Sequence, residues 1–409
     1  MFLKRMLRRS SLFVFVLLLI EFADEFVFGI LGAAWPIIRA DLHLTYTQIG
    51  LLLGLPSIIA DVIETFFGIL ADVGYRRRLI LGGGAMFALA CLLTAVSGDF
   101  ITLMVSFILF YPASGAFVSL SQATLMDYDP ERREQNMARW TFSGSLAIVV
   151  GPLVLGAAAL IGAGWRELFF LCALVALVAL VLLRRSLNGT TLAPSADDDD
   201  DEEESLGFID GLREAITAMR QRVVLKWVLL LEFADLLMDV LHGYVALYFV
   251  DVVGGDYALG GIAVLVWTGV GLLGDFLLIP LLERVKGIDY LRYSVLAELI
   301  LFPALLLVPG IVPKLVILAL LGIFNAGWYA VLQAQLYDAM PGRSGTVLSV
   351  MNVIGLPAAL IPVAIGFVAE SAGLGAAMWL LLLGPIALLI GVGLPRRRNG
   401  DSTSADATA

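Results

Sequence analysis

Glu21-Phe22-Ala23-Asp24 recurs as Glu232-Phe233-Ala234-Asp235, an offset of 211 residues. The same offset carries Gly32 onto Gly243, Tyr46 onto Tyr257, and Gln122-Ala123 onto Gln333-Ala334. It also carries Asp127, Pro130 and Arg132 onto Asp338, Pro341 and Arg343, and Asp72 onto Glu283 with its charge retained. Any one match is chance. A single register held over more than a hundred residues is a duplication.

Composition says what was duplicated. The 409 residues are 60% hydrophobic and 15% charged, with a mean hydropathy of +0.94. Soluble domains are about half apolar and a quarter charged, so a water-soluble globule is excluded. A helix crosses a bilayer with about 20 apolar residues. Twelve such segments are expected, at 11–33, 48–70, 79–97, 100–125, 137–161, 165–183, 223–249, 258–282, 289–308, 313–337, 345–369 and 374–394. Turn residues punctuate the gaps, among them Trp35-Pro36, Gly98-Asp99, Gly254-Gly255 and Pro309-Gly310. Thr45 with Gln48 has the spacing of a capping box opening the second helix.

The fold class is therefore an all-α membrane protein of twelve transmembrane helices in two six-helix repeats. Six is even, so both copies enter the membrane from the same side and the repeats are parallel. The expected divisions are 1–183 for the first bundle, 184–221 for a linker, 222–395 for the second bundle and 396–409 for a tail. Of the 26 basic residues, 23 fall on one side of this arrangement. Only Arg39, Arg166 and Lys314 fall on the other. The positive-inside rule puts both termini and the linker in the cytoplasm of a plasma (inner) membrane protein.

The net charge of −10 misleads. Asp197–Asp201 and Glu202–Glu204 form one acidic run inside the linker and supply most of it. Such a block reads as solvated chain. Cys91 and Cys172 lie in apolar runs with no disulfide or zinc spacing. The first apolar run carries Glu21, Asp24 and Glu25, unlike a cleavable signal peptide.

Those acids carry the functional reading. A charge in a bilayer costs about 2.5–3.5 kcal/mol on insertion scales. Yet segment 1 has Glu21, Asp24 and Glu25, and segment 2 has Asp61 and Glu64. Segment 7 has Glu232, Asp235 and Asp239, segment 8 has Asp275, and segment 9 has Glu298. No Lys or Arg sits at comparable depth. Ten such acids cannot all be ionised and dry; some must be protonated, face water or hold a cation. Spacings of three, four and seven put Glu21, Asp24 and Glu25 on one helical stripe, and Glu232, Asp235, Asp239 and His242 on another. We expect Glu21, Asp24, Glu25, Asp61, Glu232, Asp235, Asp239 and His242 to form the proton or cation coupling set. Hydrogen bonding between helices is the plainer role open to Glu64, Asp275 and Glu298.

The chain resembles the major facilitator superfamily over essentially its whole length. Gly68-Ile69-Leu70-Ala71-Asp72-Val73-Gly74-Tyr75-Arg76-Arg77-Arg78 is similar to that family's signature between helices 2 and 3, with the second glycine one place early and Val73 where a basic residue is usual. Gly151-Pro152 with Gly156 partly matches the glycine–proline motif of its antiporters. Gly164-Trp165-Arg166 with Phe169 resembles the opening of helix 6, and Asp129-Pro130-Glu131-Arg132 the loop after helix 4. Thr45–Gly54 and Gly82–Gly84 bear a fainter likeness to the fosmidomycin-resistance subgroup. The Arg that drug–proton antiporters carry in helix 4 is absent, and Tyr111 stands nearest its place.

The resemblance implies that helices 1, 4, 7 and 10 line a central cavity with the two acid stripes facing across it. Tyr111, Ser114 and Gln122 on helix 4, with Asn325, Trp328, Tyr329 and Gln333 on helix 10, then become the expected substrate lining. It also implies gating roles for Asp72, Arg76, Gly151, Pro152 and Glu283.

An enzyme is not expected. Gly274-Asp275 and Tyr337-Asp338 have the wrong order and spacing for an intramembrane aspartyl protease, and no phosphate-binding loop is present for ATP drive. The expected function is secondary transport, drug- or metabolite-antiporter-like: proton-coupled export of a cationic or amphipathic small molecule. Metal-cation transport and proton-coupled uptake of a neutral solute are the alternatives. No cofactor and no resident metal are expected. The expected partners are substrate, protons and lipid, with no nucleic acid, and the chain is expected to act as a monomer.

Overall fold

The computed structural model describes residues 2–71, 75–128, 133–187, 216–340 and 344–394. The described residues contain twelve long helices. These are α1 (Phe2–Leu42), α2 (Tyr46–Leu70), α3 (Arg76–Val96), α4 (100–128), α5 (Arg133–Leu160), α6 (Trp165–Leu187), α7 (222–252), α8 (Tyr257–Leu282), α9 (Gly287–Leu307), α10 (311–339), α11 (344–372) and α12 (374–392). Ten of the twelve have stretches long and apolar enough to cross a membrane by composition alone. The two that fall short are α1 and α7, which carry the acid stripes. The chain is thus a multi-pass membrane protein. The acidic run at 197–204 lies outside the described residues.

One boundary differs from expectation. Trp35-Pro36 does not end the first helix; Pro36 lies inside α1, which continues to Leu42. A proline removes one helical hydrogen bond, and neighbouring helices tolerate that loss inside a membrane bundle. The chain turns instead at His43, whose φ is 51°. The capping box then opens α2: the Thr45 amide donates to Gln48 Oε1 at 2.9 Å, and the Gln48 amide to Thr45 Oγ1 at 3.1 Å. Asp99 caps α4 by accepting from the Thr102 amide at 2.8 Å.

Several helices are interrupted. π-helical turns occupy Gly115–Ser119 in α4 and Leu236–Val240 and Tyr248–Val252 in α7. α10 breaks at 326–327, where Gly327 has φ 73°. The groups freed there are taken up by neighbours: Tyr290 Oη donates to the Ala326 carbonyl at 2.8 Å, and Asp275 Oδ1 accepts from the Gly327 amide at 3.1 Å. Within the first half α1 packs on α5, where a methyl on Gly151 would lie 2.5 Å from the Gly29 carbonyl carbon.

The halves meet through α1 on α7, α2 on α11 and α5 on α8. α2 crosses α11 closely at Gly50 and Gly54, with Gly366 facing Gly50. A methyl on Gly366 would sit 2.5 Å from the Tyr46 carbonyl oxygen and 3.0 Å from Gly50 Cα. All three basic residues at this end of the bundle are occupied. Arg39 pairs with Asp251 at 3.0 Å. Arg166 pairs with Asp41 and donates to the Ser97 carbonyl at 2.8 Å. Lys314 Nζ is buried, donating to the Leu305 carbonyl and, at 2.9 Å, to Tyr248 Oη.

Candidate functional site

A cavity of about 470 Å³ lies between the halves. α1 contributes Glu25, Phe28 and Trp35; α2 contributes Leu53, Ser57 and Asp61; α7 contributes Glu232, Asp235, Asp239 and His242. Tyr111 of α4 and Gly355 and Pro362 of α11 complete much of the wall. Among the described residues the lining therefore holds five carboxylates and one imidazole, and no Lys or Arg. Aromatic edges sit beside the acids, with the Phe28 and Tyr111 rings edge-to-face at 5.8 Å.

The two acid stripes do not share one environment. Glu25, Glu232, Asp235 and Asp239 border the cavity. Glu21 and Asp24 are buried within the first half, outside the cavity lining. Asp24 Oδ1 accepts from Ser114 Oγ at 2.8 Å, just before the π turn of α4. Glu21 lies over α5, where a methyl on residue 144 would come within 2.6 Å of its Oε1, so Gly144 makes the room. Glu64 lies against Gly115 in the same way. These three acids form a layer behind the cavity wall.

His242 reaches across the interface. Its Nε2 lies 3.4 Å from the Phe28 carbonyl oxygen, and its ring fills the space over Gly32. That contact joins α7 to α1 beside the acids, and its ring lies 5.9 Å from that of Trp267 on α8.

Of the expected substrate lining, Tyr111 is in the cavity wall. Ser114 is spent on Asp24. Gln122 turns to Met137 at 3.6 Å. Asn325 Nδ2 donates to the Leu237 carbonyl at 3.0 Å, and the buried Trp328 donates to Ser294 at 2.8 Å. Gln333 donates to Tyr329 Oη at 3.1 Å, and Tyr329 lies within electrostatic reach of Glu232, Asp235 and Asp239. The break in α10 accounts for much of this. It rotates the second half of that helix relative to the first, so one continuous face no longer exists.

In place of those residues, α2 and α11 supply wall through Leu53, Ser57, Gly355, Ala358, Ala359 and Pro362. The sequence signal was the glycine pair at 50 and 54, which lets α2 approach α11. Asp275 holds the α10 break, and Glu298 is 1% exposed with Oε1 lacking a hydrogen-bond partner.

Beyond the cavity toward the Arg39 end, the halves are latched. Asp251 accepts from Arg39 Nη1 at 3.0 Å and from Tyr46 Oη at 2.8 Å. The Tyr46 amide donates to Glu370 Oε2 at 2.8 Å, and the Arg39 guanidinium stacks 4.2 Å from the Tyr46 ring centroid. Four helices, two from each half, meet in this cluster. Among the expected gating residues, Gly151 and Pro152 are buried in α5, and Glu283 is exposed at the end of α8. Arg76 opens α3. Asp72 lies outside the described residues.

A family model described as Major Facilitator Superfamily matches residues 17–362. Among curated proteins no sequence matches the chain. Two crystal structures are similar in fold, both of a bacterial homologue of the human lysosomal transporter Spinster in an inward-facing conformation. The unoccupied form has a TM-score of 0.69 at 16% identity, covering 94% of this chain and 95% of that one. The occupied form has a TM-score of 0.64 at 15% identity, covering 93% of each.

Proposed function

The chain belongs to the Major Facilitator Superfamily, and on that premise we propose that this secondary transporter exports a cationic or amphipathic small molecule against a proton gradient. The observation that carries the reading is the cavity: five carboxylates beside aromatic edges, with no Lys or Arg among the described lining residues. An amphipathic cation satisfies both features, since its charge is drawn to the carboxylates and its apolar body to the rings.

Coupling follows from shared sites. A protonated carboxyl group is neutral, whereas an ionised one attracts a cation. Proton and cation therefore compete for the same carboxylates, and each disfavours the other's binding. Glu25, Asp61, Glu232, Asp235, Asp239 and His242 face the cargo in this scheme. Glu21 and Asp24 stand behind them as proton acceptors whose charge biases the wall. The latched Arg39 end faces outward, because the basic residues put the opposite end and both termini in the cytoplasm. The cavity is then loaded from inside. A metal cargo is disfavoured, since no group of three His, Cys, Asp or Glu side chains among the described residues is placed to hold an ion.

The test is flux in proteoliposomes containing the purified protein. Accumulation of a lipophilic cation such as tetraphenylphosphonium should require an opposed pH gradient and no ATP. Equal flux with the gradient collapsed would remove proton coupling. Transport restricted to neutral solutes or metal ions would remove the cationic cargo.

A further inference from the structure

Two acids outside the cavity lining occupy the same place in each repeat. Glu64 and Asp275 are 211 residues apart, the repeat offset, and so are Ser114 and Asn325. In the second half, Asp275 Oδ1 on α8 accepts from the Gly327 amide at the break of α10, at 3.1 Å. Asn325, just before the break, donates to the Leu237 carbonyl at 3.0 Å, inside the π turn of α7. In the first half, the Glu64 carboxyl on α2 fills the space that a side chain at Gly115 would take, where the π turn of α4 begins. Ser114, just before that turn, donates to Asp24 Oδ1 on α1 at 2.8 Å. Each half thus runs from an acid on its second helix, through an interrupted fourth helix, to the acid-bearing stretch of its first.

Asp275 competes with the helix for one amide. In an unbroken helix the Gly327 amide would donate to the Ile323 carbonyl, four residues back. Here Asp275 takes that amide, and Tyr290 Oη takes the Ala326 carbonyl at 2.8 Å. Gly327 holds its φ of 73° without strain because it has no Cβ. With the acceptor removed, the bond to Ile323 becomes the better one and α10 can close into a single helix. Asn325 then turns away from Leu237. That residue lies between Asp235 and Asp239, both in the cavity wall, so their turn loses its brace.

We infer that Asp275 and Glu64 are positioning residues for transport. Each shapes the interruption in the fourth helix of its own repeat. Through Asn325 or Ser114, that interruption sets where the acids of α7 or α1 stand. The inference goes beyond the cationic-cargo reading, since it concerns how the acids are held, whatever they bind.

Hydrogen exchange of the full-length protein in nanodiscs tests it without any cargo. D275L and N325A should each speed exchange of the Leu236–Val240 amides about fivefold, the worth of one hydrogen bond. The double variant should be no faster than either single, because both act through one contact; independent contacts would multiply to about 25-fold. D275N keeps an acceptor oxygen and should stay within about twofold of the native chain. Residues 20–28 of α1 should not respond in these variants, whereas general loosening would reach both halves. E64L should speed exchange at Gly115–Ser119 and leave Leu236–Val240 alone. An unchanged α7 turn in D275L or N325A, or a multiplicative double, overturns the inference for Asp275; an unchanged α4 turn in E64L overturns it for Glu64. If D275L does not fold, Y290F replaces it, since Tyr290 holds the other side of the break. Tetraphenylphosphonium binding should weaken about fivefold in D275L and N325A, and native affinity in both overturns the positioning role. Failure of the native protein to bind this cation overturns the cationic cargo instead, and the exchange rates still decide the inference.

Discussion

Arg39 Nη1 lies 3.0 Å from Asp251 Oδ2, joining the last turns of α1 and α7 across the two repeats. Both side chains are partly sheltered, at 31% and 24% exposure, and Tyr46 Oη adds a second bond to the same carboxylate oxygen. A pair in this setting contributes about 1–2 kcal/mol. That is enough to shift the balance between two conformations about 5–30-fold. D251N should therefore populate a state open at the Arg39 end. A cysteine replacing the buried Leu44 should label faster with a membrane-impermeant maleimide by that factor. Unchanged labelling would reduce the pair to a surface contact.

The glycine crossing of α2 and α11 makes a second prediction. G366V should prevent closure at this end, because its side chain would overlap the Tyr46 backbone. Transport should fall to background while the helical far-ultraviolet signal persists. Gly82 faces open space, so G82A serves as the neutral control. Normal flux in G366V would show that the crossing can loosen without cost.

Asp24 and Asp235 test the division between inner layer and cavity wall. D24N keeps an oxygen that accepts from Ser114, so its melting temperature should stay within a few degrees. It should still lose accumulation driven by a pH gradient. D235N should lose accumulation and weaken cation binding as well, since Asp235 faces the cavity. S114A removes one hydrogen bond to a carboxylate, a loss of about 1–3 kcal/mol. If both amide variants still concentrate substrate, coupling passes to Asp61, Asp239 and His242.

Outside the membrane helices, Asp99 gives a pH prediction. The Thr102 amide and hydroxyl hold its carboxyl below the usual range. A group depressed by folding stabilises above its unfolded value, about 3.9, and loses that contribution as pH falls through the folded value. Protection of the Thr102 amide, its exchange rate relative to that of an unstructured amide at the same pH, should persist at the ordinary carboxylate value of about 3.9 and be lost only below it. D99A should lose that protection at every pH. Protection that does not change with pH in the native chain would mean that the Asp99 carboxylate is not what protects that amide.

The architecture was legible because a bilayer leaves so few choices. Apolar runs placed all twelve helices, and the two that carry the acid stripes, α1 and α7, are the ones that fall short of a purely compositional test. The cavity was only half legible. The α7 stripe reached it, together with Glu25, Asp61 and Tyr111. Ser114, Asn325 and Trp328 did not, because helical spacing assumes an unbroken helix. The break at 326–327 separates Asn325 from Trp328, and Ser114 and Asn325 are taken up by hydrogen bonds to Asp24 and the Leu237 carbonyl. The contribution of α2 and α11 was hidden for another reason. It depends on how the two halves tilt together, and no periodicity within either half records that angle. Pro36 is the reverse case, a strong local stop signal overruled by packing.

With the Gly50–Gly366 contact as its pivot, α2 would have a mechanical ratio. Tyr46, in the latch, stands four residues from the crossing, about 6 Å along α2. Leu70, at the far end of the same helix, stands twenty residues away, about 30 Å. If the helix turns about its crossing as a stiff rod, the far arm is about five times the near one. Parting the latch by one ångström would then sweep the opposite mouth through about five. A bundle so pivoted needs little travel at the side it releases in order to seal the side it leaves.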